Sequence, residues 1–135
     1  MSDHWLDLVP VVSAPALARA ALGRWLAKDS LDSLAGLEDK VLLVTSELVT
    51  NAVVHASTAV QLSYWANGWR IEVGVTDEDP RPLPPTPSAS LLPGALPLLR
   101  TGGRGLLIIG ASADEWGVSA VKSGKRVWAR WWLPP

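Results

Sequence analysis

Ser46-Glu47-Leu48-Val49-Thr50-Asn51-Ala52-Val53-Val54-His55-Ala56 closes a long, largely apolar stretch of the chain. With Val41, Leu42, Leu43 and Val44 just upstream, it predicts a helix over about 37–56 that is apolar nearly all round. Such a helix is covered by protein on most sides. Its polar exceptions, Glu47, Asn51 and His55, fall at i, i+4 and i+8 and so form one nearly axial row. A carboxylate, an amide and an imidazole in such a row can line a nucleotide or metal site. The carboxylate can activate water or a hydroxyl, and the amide oxygen is a hard ligand suited to magnesium. The same three residues can also be the solvated face of an amphipathic helix, since three polar residues on one helix are commonplace.

Upstream, Ser13-Ala14-Pro15 leads into a helix over 16–28, with serine able to cap it and proline tolerated in its first turn. Leu17, Ala20, Ala21, Leu22, Trp25 and Leu26 give it an apolar stripe, and residues 29–37 read as a polar link. Downstream, 59–65 and 69–76 read as strands joined through Ala66-Asn67-Gly68, a hairpin signal. Ile71, Val73 and Val75 alternate with Glu72, Gly74 and Thr76, which buries one face of the second strand. Between Pro80 and Pro97 lie seven of the eleven prolines, a density that excludes a regular helix or central strand. Glycines at 102, 103 and 105 then open a helix over 106–113, and strands over 115–121 and 125–133 turn at Lys122-Ser123-Gly124. No internal repeat is present. This order is accommodated by an α+β arrangement with helices on one face of a mixed, mainly antiparallel sheet.

Two further stretches can carry chemistry. Val73-Gly74-Val75-Thr76-Asp77 sets a carboxylate at the end of a buried strand, where it can face a cleft or begin a turn. Gly102-Gly103-Arg104-Gly105-Leu106 sets glycines before a helix, where free N–H groups can meet phosphate oxygens, or where the chain can hinge. The Gly-Lys-Ser/Thr order of a Walker loop and the dinucleotide-binding fingerprint are both absent.

Bulk properties narrow the class. At 135 residues the chain has the length of a single domain, 1–135, and its 48% apolar and 19% charged residues are those of a globular chain. A net charge of −1 gives no pull towards nucleic acid or an anionic membrane. The absence of cysteine excludes disulfides, thiolate-ligated zinc and thiol catalysis. No apolar run approaches membrane-spanning length and the first residues lack a secretory pattern, so a cytoplasmic protein is expected. Eight tryptophans beside no phenylalanine suggest that tryptophan fills the core, and Trp131-Trp132 should point to opposite faces of their strand.

Taken together in order, these segments resemble the histidine-kinase-like ATPases, in the branch of anti-sigma-factor serine/threonine kinases. Residues 46–56 are similar to the family's asparagine-containing motif, and Ile71 to Asp77 to its adenine-aspartate strand. Gly103-Arg104-Gly105-Leu106 resembles the glycine segment closing the ATP lid. Residues 113–118 and 124–128 resemble the closing hairpin, and Ala18-Arg19 the first helix. The likeness spans about residues 10–133.

The resemblance implies the ATP-binding (Bergerat) fold, a two-layer α/β sandwich, with ATP and Mg2+ as ligands. Asn51 would hold the metal, Glu47 would be the catalytic base, His55 would lie near the phosphates or lid, and Asp77 would receive the adenine amino group. Gly103, Arg104, Gly105 and Leu106 would face the phosphates, and residues 78–104 would be the lid. The partner implied is a sigma factor or an anti-sigma-factor antagonist, phosphorylated on serine or threonine, and the branch often pairs as a homodimer. Two departures bear on the site. The family's Asp-x-Gly-x-Gly reads Asp77-Glu78-Asp79-Pro80-Arg81 here, so Asp79 is expected to crowd or repel the base. The threonine that follows Gly-Lys in the family is Arg126 here, which weakens the hold on adenine. Loss of catalysis with retention of the fold, as a nucleotide-binding or purely protein-binding module, is the alternative reading.

Overall fold

The computed structural model describes residues 3–28, 36–81 and 103–133. Its elements run β1 (His4–Leu8), α1 (Ala14–Lys28), α2 (Glu38–Asn51), a π-helical turn (Ala52–Ala56), β2 (Val60–Ala66), β3 (Arg70–Asp77), α3 (Gly103–Ser112), β4 (Glu115–Val121) and β5 (Gly124–Trp132). The strands form one sheet in the order β1-β2-β3-β5-β4, and all four ladders are antiparallel. The expected two-layer arrangement is therefore present, with a sheet that is antiparallel throughout rather than mixed. The proline-rich segment read as a lid and most of the 29–37 link lie outside the described residues. Among the described residues, no helix is long and apolar enough to cross a membrane.

Helix α2 lies at the centre of the helical layer, flanked by α1 and α3 and backed by the sheet. That position explains why its sequence is apolar nearly all round. Val41, Val44, Leu48 and Val49 are fully or almost fully buried, and they join Ala18 and Leu22 of α1, Ile109 of α3, and the inward residues of the sheet. Those inward residues follow the strand period of two: Leu62 and Tyr64 on β2, Ile71, Val73 and Val75 on β3, and Val127, Ala129 and Trp131 on β5. Acidic Glu38 and Asp39 in the first turn of α2 suit the positive end of the helix dipole.

Three local expectations change. Residues 4–8 form an edge strand, an element absent from the sequence reading. His4 stacks on Tyr64 at 5.2 Å and an interplanar angle of 6°, beside Trp25. The β2–β3 hairpin exists, but Asn67 works through its side chain: its Oδ1 accepts the N–H groups of Trp69 and Arg70. Tryptophan is also less of a core residue than expected. Only Trp25 and Trp131 are buried, whereas Trp5, Trp65, Trp69, Trp128 and Trp132 belong to the helix-free side of the sheet or its turn.

On that side the rings are interleaved with charge. Arg70 lies 4.7 Å over Trp65 and 5.2 Å over Trp69, and Trp69 stacks on Trp132 at 5.6 Å. Glu72, buried although it faces away from the helices, receives Arg126 at 3.2 Å and Arg130 at 2.9 Å. The hydrogen bond to Glu72 raises the Arg130 guanidinium above its ordinary range.

Trp131 and Trp132 thus have opposite environments, at 0% and 43% exposure. Trp131→Ala should lower the unfolding free energy by about 3–5 kcal/mol, and Trp132→Ala by about 1 kcal/mol. Denaturant unfolding measures both, and equal losses would contradict the assignment of faces.

Candidate nucleotide site

The site is built where α2 loses its regular form. Beyond Asn51 the helix widens into a π-turn, closed by the Ser57 N–H donating to the Ala52 carbonyl at 3.2 Å. Ser57 leaves it in the left-handed conformation, with φ of 55°. Single π-turns inside helices are frequent at functional sites. Here the turn carries His55 while Asn51 sits just before it, and both side chains line one cleft with Leu48 and Ala52.

The opposite wall comes from the sheet: Val75 and Asp77 at the end of β3, Lys125 and Val127 at the start of β5. The cleft is narrow, with about 10 Å³ of free space between its walls, room for about one water molecule. Asn51 Nδ2 and His55 Nε2 are buried here without a hydrogen-bond partner among the described residues. Unpaired buried polar atoms are costly, and their convergence on one cleft suits a polar ligand.

Asp77 is 4% exposed and is held from two sides. Its Oδ1 accepts the Asp79 N–H at 2.8 Å, and Lys125 Nζ lies 3.2 Å from its Oδ2. Lys125 also donates to the Asp79 carbonyl at 3.1 Å. Sequence reasoning missed this lysine and singled out Arg126 instead. The signal was available in strand phase, since Lys125 is in step with inward Val127, Ala129 and Trp131. Arg126 points to the other face, to Glu72, and the register pairs Lys125 with Asp77. Gly124 makes the approach possible: a Cβ there would overlap the Asp77 carbonyl oxygen.

The segment after Asp77 is also better accommodated than its sequence suggests. Asp79 does not stand free against the cleft, because Arg81 binds both its carboxylate oxygens, at 3.0 and 2.6 Å. Those hydrogen bonds, with that from the Arg81 backbone N–H, hold the Asp79 carboxyl far below the ordinary carboxylate range. Arg81 also reaches the His55 carbonyl at 3.4 Å, linking this turn to the π-turn.

The remaining candidates are placed as follows. Glu47 is half-buried on α2, one turn before Asn51, and does not line the cleft. Its neighbour Ser46 accepts a hydrogen bond from Arg19 of α1 at 2.8 Å. Gly103, Arg104 and Gly105 are the first three residues of α3, which begins three residues earlier than the sequence suggests. Their N–H groups have no acceptor within the helix and can serve an anion. The Arg104 side chain lies outside the described residues. Leu106 is buried in the core, anchoring the helix start. Among the described residues no three His, Cys, Asp or Glu side chains gather as a metal site. A magnesium ion would therefore rely on the Asn51 amide, phosphate oxygens and water, a mix that suits this ion.

Comparison with known proteins gives the family and the fold. Residues 12–131 match the family described as the histidine kinase-like ATPase domain. Among solved structures, the chain is similar to the RsbU and RsbW domains of Rv1364c from Mycobacterium tuberculosis. The TM-score is 0.69 at 17% identity, over 100% of this chain and 34% of that one. The chain thus spans about a third of the length of that solved chain. No curated protein sequence matches it.

A carboxyl held lower in the folded than in the unfolded chain adds stability that is full above its unfolded value, near 3.9. That stability is lost as pH falls through the folded value. Arg81 is 76% exposed, so the effect is small and salt-sensitive. Carboxyl NMR should show Asp79 titrating below the ordinary aspartate value, and Arg81→Ala should move it up towards that value. An unmoved midpoint would sever the pair.

Proposed function

The chain belongs to the histidine kinase-like ATPase domain family, and from that premise we propose that it is an ATP-binding regulatory protein of the anti-sigma-factor kinase type. The observation that carries the reading is the convergence of Asn51, His55 and Asp77, from α2, its π-turn and β3, on one cleft, where Asn51 Nδ2 and His55 Nε2 are buried without a partner among the described residues. The proposal treats residues 1–135 as one cytoplasmic ATP-binding domain, with residues about 78–104 as its lid.

In this reading Asp77 accepts a hydrogen bond from the adenine amino group, and the Asn51 amide oxygen holds magnesium. Bound magnesium would supply charge neutralisation for the phosphates. The N–H groups of Gly103, Arg104 and Gly105 would offer hydrogen bonds to phosphate oxygens at the α3 N-terminus. Leu106 would set the position of that first turn through its burial. His55 Nε2 would meet the phosphates or the lid. Glu47, outside the cleft lining, would take the proton of a serine or threonine hydroxyl on the partner protein as that oxygen attacks. The partner class, a sigma factor or an anti-sigma-factor antagonist, and pairing as a homodimer rest on family resemblance.

A second reading retains nucleotide binding, or only protein binding, without transfer. The position of Glu47 outside the cleft and the Lys125 contact to Asp77 favour it.

Calorimetric titration with a non-hydrolysable ATP analogue tests the site. Binding should require magnesium and be lost in Asn51→Ala with the fold intact, and no binding at millimolar nucleotide would refute the reading. Glu47→Ala should lower phosphoryl transfer to a partner by roughly 10²–10⁴-fold while sparing ATP affinity. Unchanged transfer would remove Glu47 as the base.

A further inference from the structure

The sheet wall of the cleft is already engaged from within. Asp77 and Lys125 are both buried and stand opposite each other in the β3–β5 register. Lys125 Nζ lies 3.3 Å from Asp77 Oδ1, 3.2 Å from Oδ2 and 3.1 Å from the Asp79 carbonyl oxygen. Three contacts match the three protons of the ammonium. Asp77 Oδ1 also accepts the Asp79 N–H at 2.8 Å. The carboxylate that the nucleotide reading assigns to a base amino group therefore holds an internal cation. Between the walls there is room for about one water molecule. A purine ring cannot reach Asp77 while the ammonium stays in place.

We infer that Lys125 sets nucleotide affinity at this cleft, as an internal competitor whose ammonium stands in for the base amino group on Asp77. The inference rests on the nucleotide reading above and deepens it. Both groups donate N–H to the same carboxylate, so one leaves before the other binds it directly. The flexible four-carbon stem of lysine allows its head to withdraw. Withdrawal breaks a buried ion pair and frees the Asp79 carbonyl as well. A state reached at that cost is sparsely populated, and apparent affinity falls by the fraction of molecules in it. A competent fraction of about a tenth weakens binding about tenfold. Shortening the side chain removes the competitor and opens the space it fills. Lys125 thus acts on two quantities in opposite directions. It stabilises the unliganded fold by neutralising Asp77, and it weakens the hold on nucleotide. A lysine with a purely structural role would support both.

The test uses the full chain with magnesium and a non-hydrolysable ATP analogue, titrated by calorimetry, with thermal melts of the unliganded proteins. Lys125→Ser keeps a hydroxyl beside Asp77 and removes the ammonium and most of the stem. It should bind the analogue at least about tenfold more tightly than wild type, while melting at a lower temperature without ligand. Equal or weaker binding by folded Lys125→Ser would overturn the inference and leave the nucleotide site standing. The wild-type protein supplies a second readout that needs no variant. NMR should show its Lys125 ammonium protons protected from exchange with water in the free protein, and that protection should be lost at saturating analogue. Protection kept in the bound state would also overturn the inference. Binding by neither protein at millimolar nucleotide would overturn the nucleotide reading together with the inference.

Discussion

Helix α2 is covered by α1, by α3 and by the sheet, and this burial constrains everything near it. A helix covered in that way keeps only a narrow solvated face, at Glu38, Asp39, Lys40 and Leu43. Its buried polar residues must find partners inside the fold or meet a ligand where the cover ends. Thr45 bonds back to the Val41 carbonyl at 2.8 Å, and Ser46 takes Arg19. Asn51 and His55 have no such partner for Nδ2 and Nε2 among the described residues, and both stand where the helix widens into its π-turn. The same burial that stabilises the helical layer thus concentrates its unmet hydrogen-bonding capacity at one end, facing β3 and β5.

The two faces of the sheet divide the remaining work. Towards the helices the strands present Val, Leu, Ile and Trp131, and only at the end of β3 and the start of β5 does charge enter, as Asp77 and Lys125. Away from the helices, Arg70, Arg126 and Arg130 lie among tryptophan rings and around Glu72. A buried carboxylate on that face is tolerated because two guanidinium groups satisfy it. Gly74 leaves the space through which Arg126 reaches across, since a Cβ there would meet the guanidinium. The aromatic composition is therefore mainly a property of this outer face, where rings cover arginines, and only secondarily of the core.

How much of this was legible follows from which signals are local. The buried helix, the alternation of Ile71, Val73 and Val75, and the adjacent Trp131 and Trp132 each express one period, and each reads directly as packing. The polar row of 47, 51 and 55 was visible too, although the π-turn and the half-buried position of Glu47 were not, because they depend on three-dimensional cover. Residues 4–8 make a strand of five residues whose alternation, His4, Leu6 and Leu8 against Trp5 and Asp7, is too short to stand out without its partner β2. Lys125 was missed because its place was counted from a short motif instead of from the phase of β5. The compensation of Asp79 by Arg81 is a side-chain geometry that no periodicity encodes.

The claim on which the rest depends is that the cleft beneath the π-turn receives the nucleotide. Isotope-labelled protein titrated with a magnesium-bound, non-hydrolysable ATP analogue and followed residue by residue by NMR tests it most directly. Chemical-shift changes should concentrate at Asn51, His55, Asp77 and Lys125 and at the backbone N–H groups of Gly103, Arg104 and Gly105. No change at millimolar nucleotide, or changes confined to Trp65, Arg70 and Trp132 on the opposite face of the sheet, would contradict it.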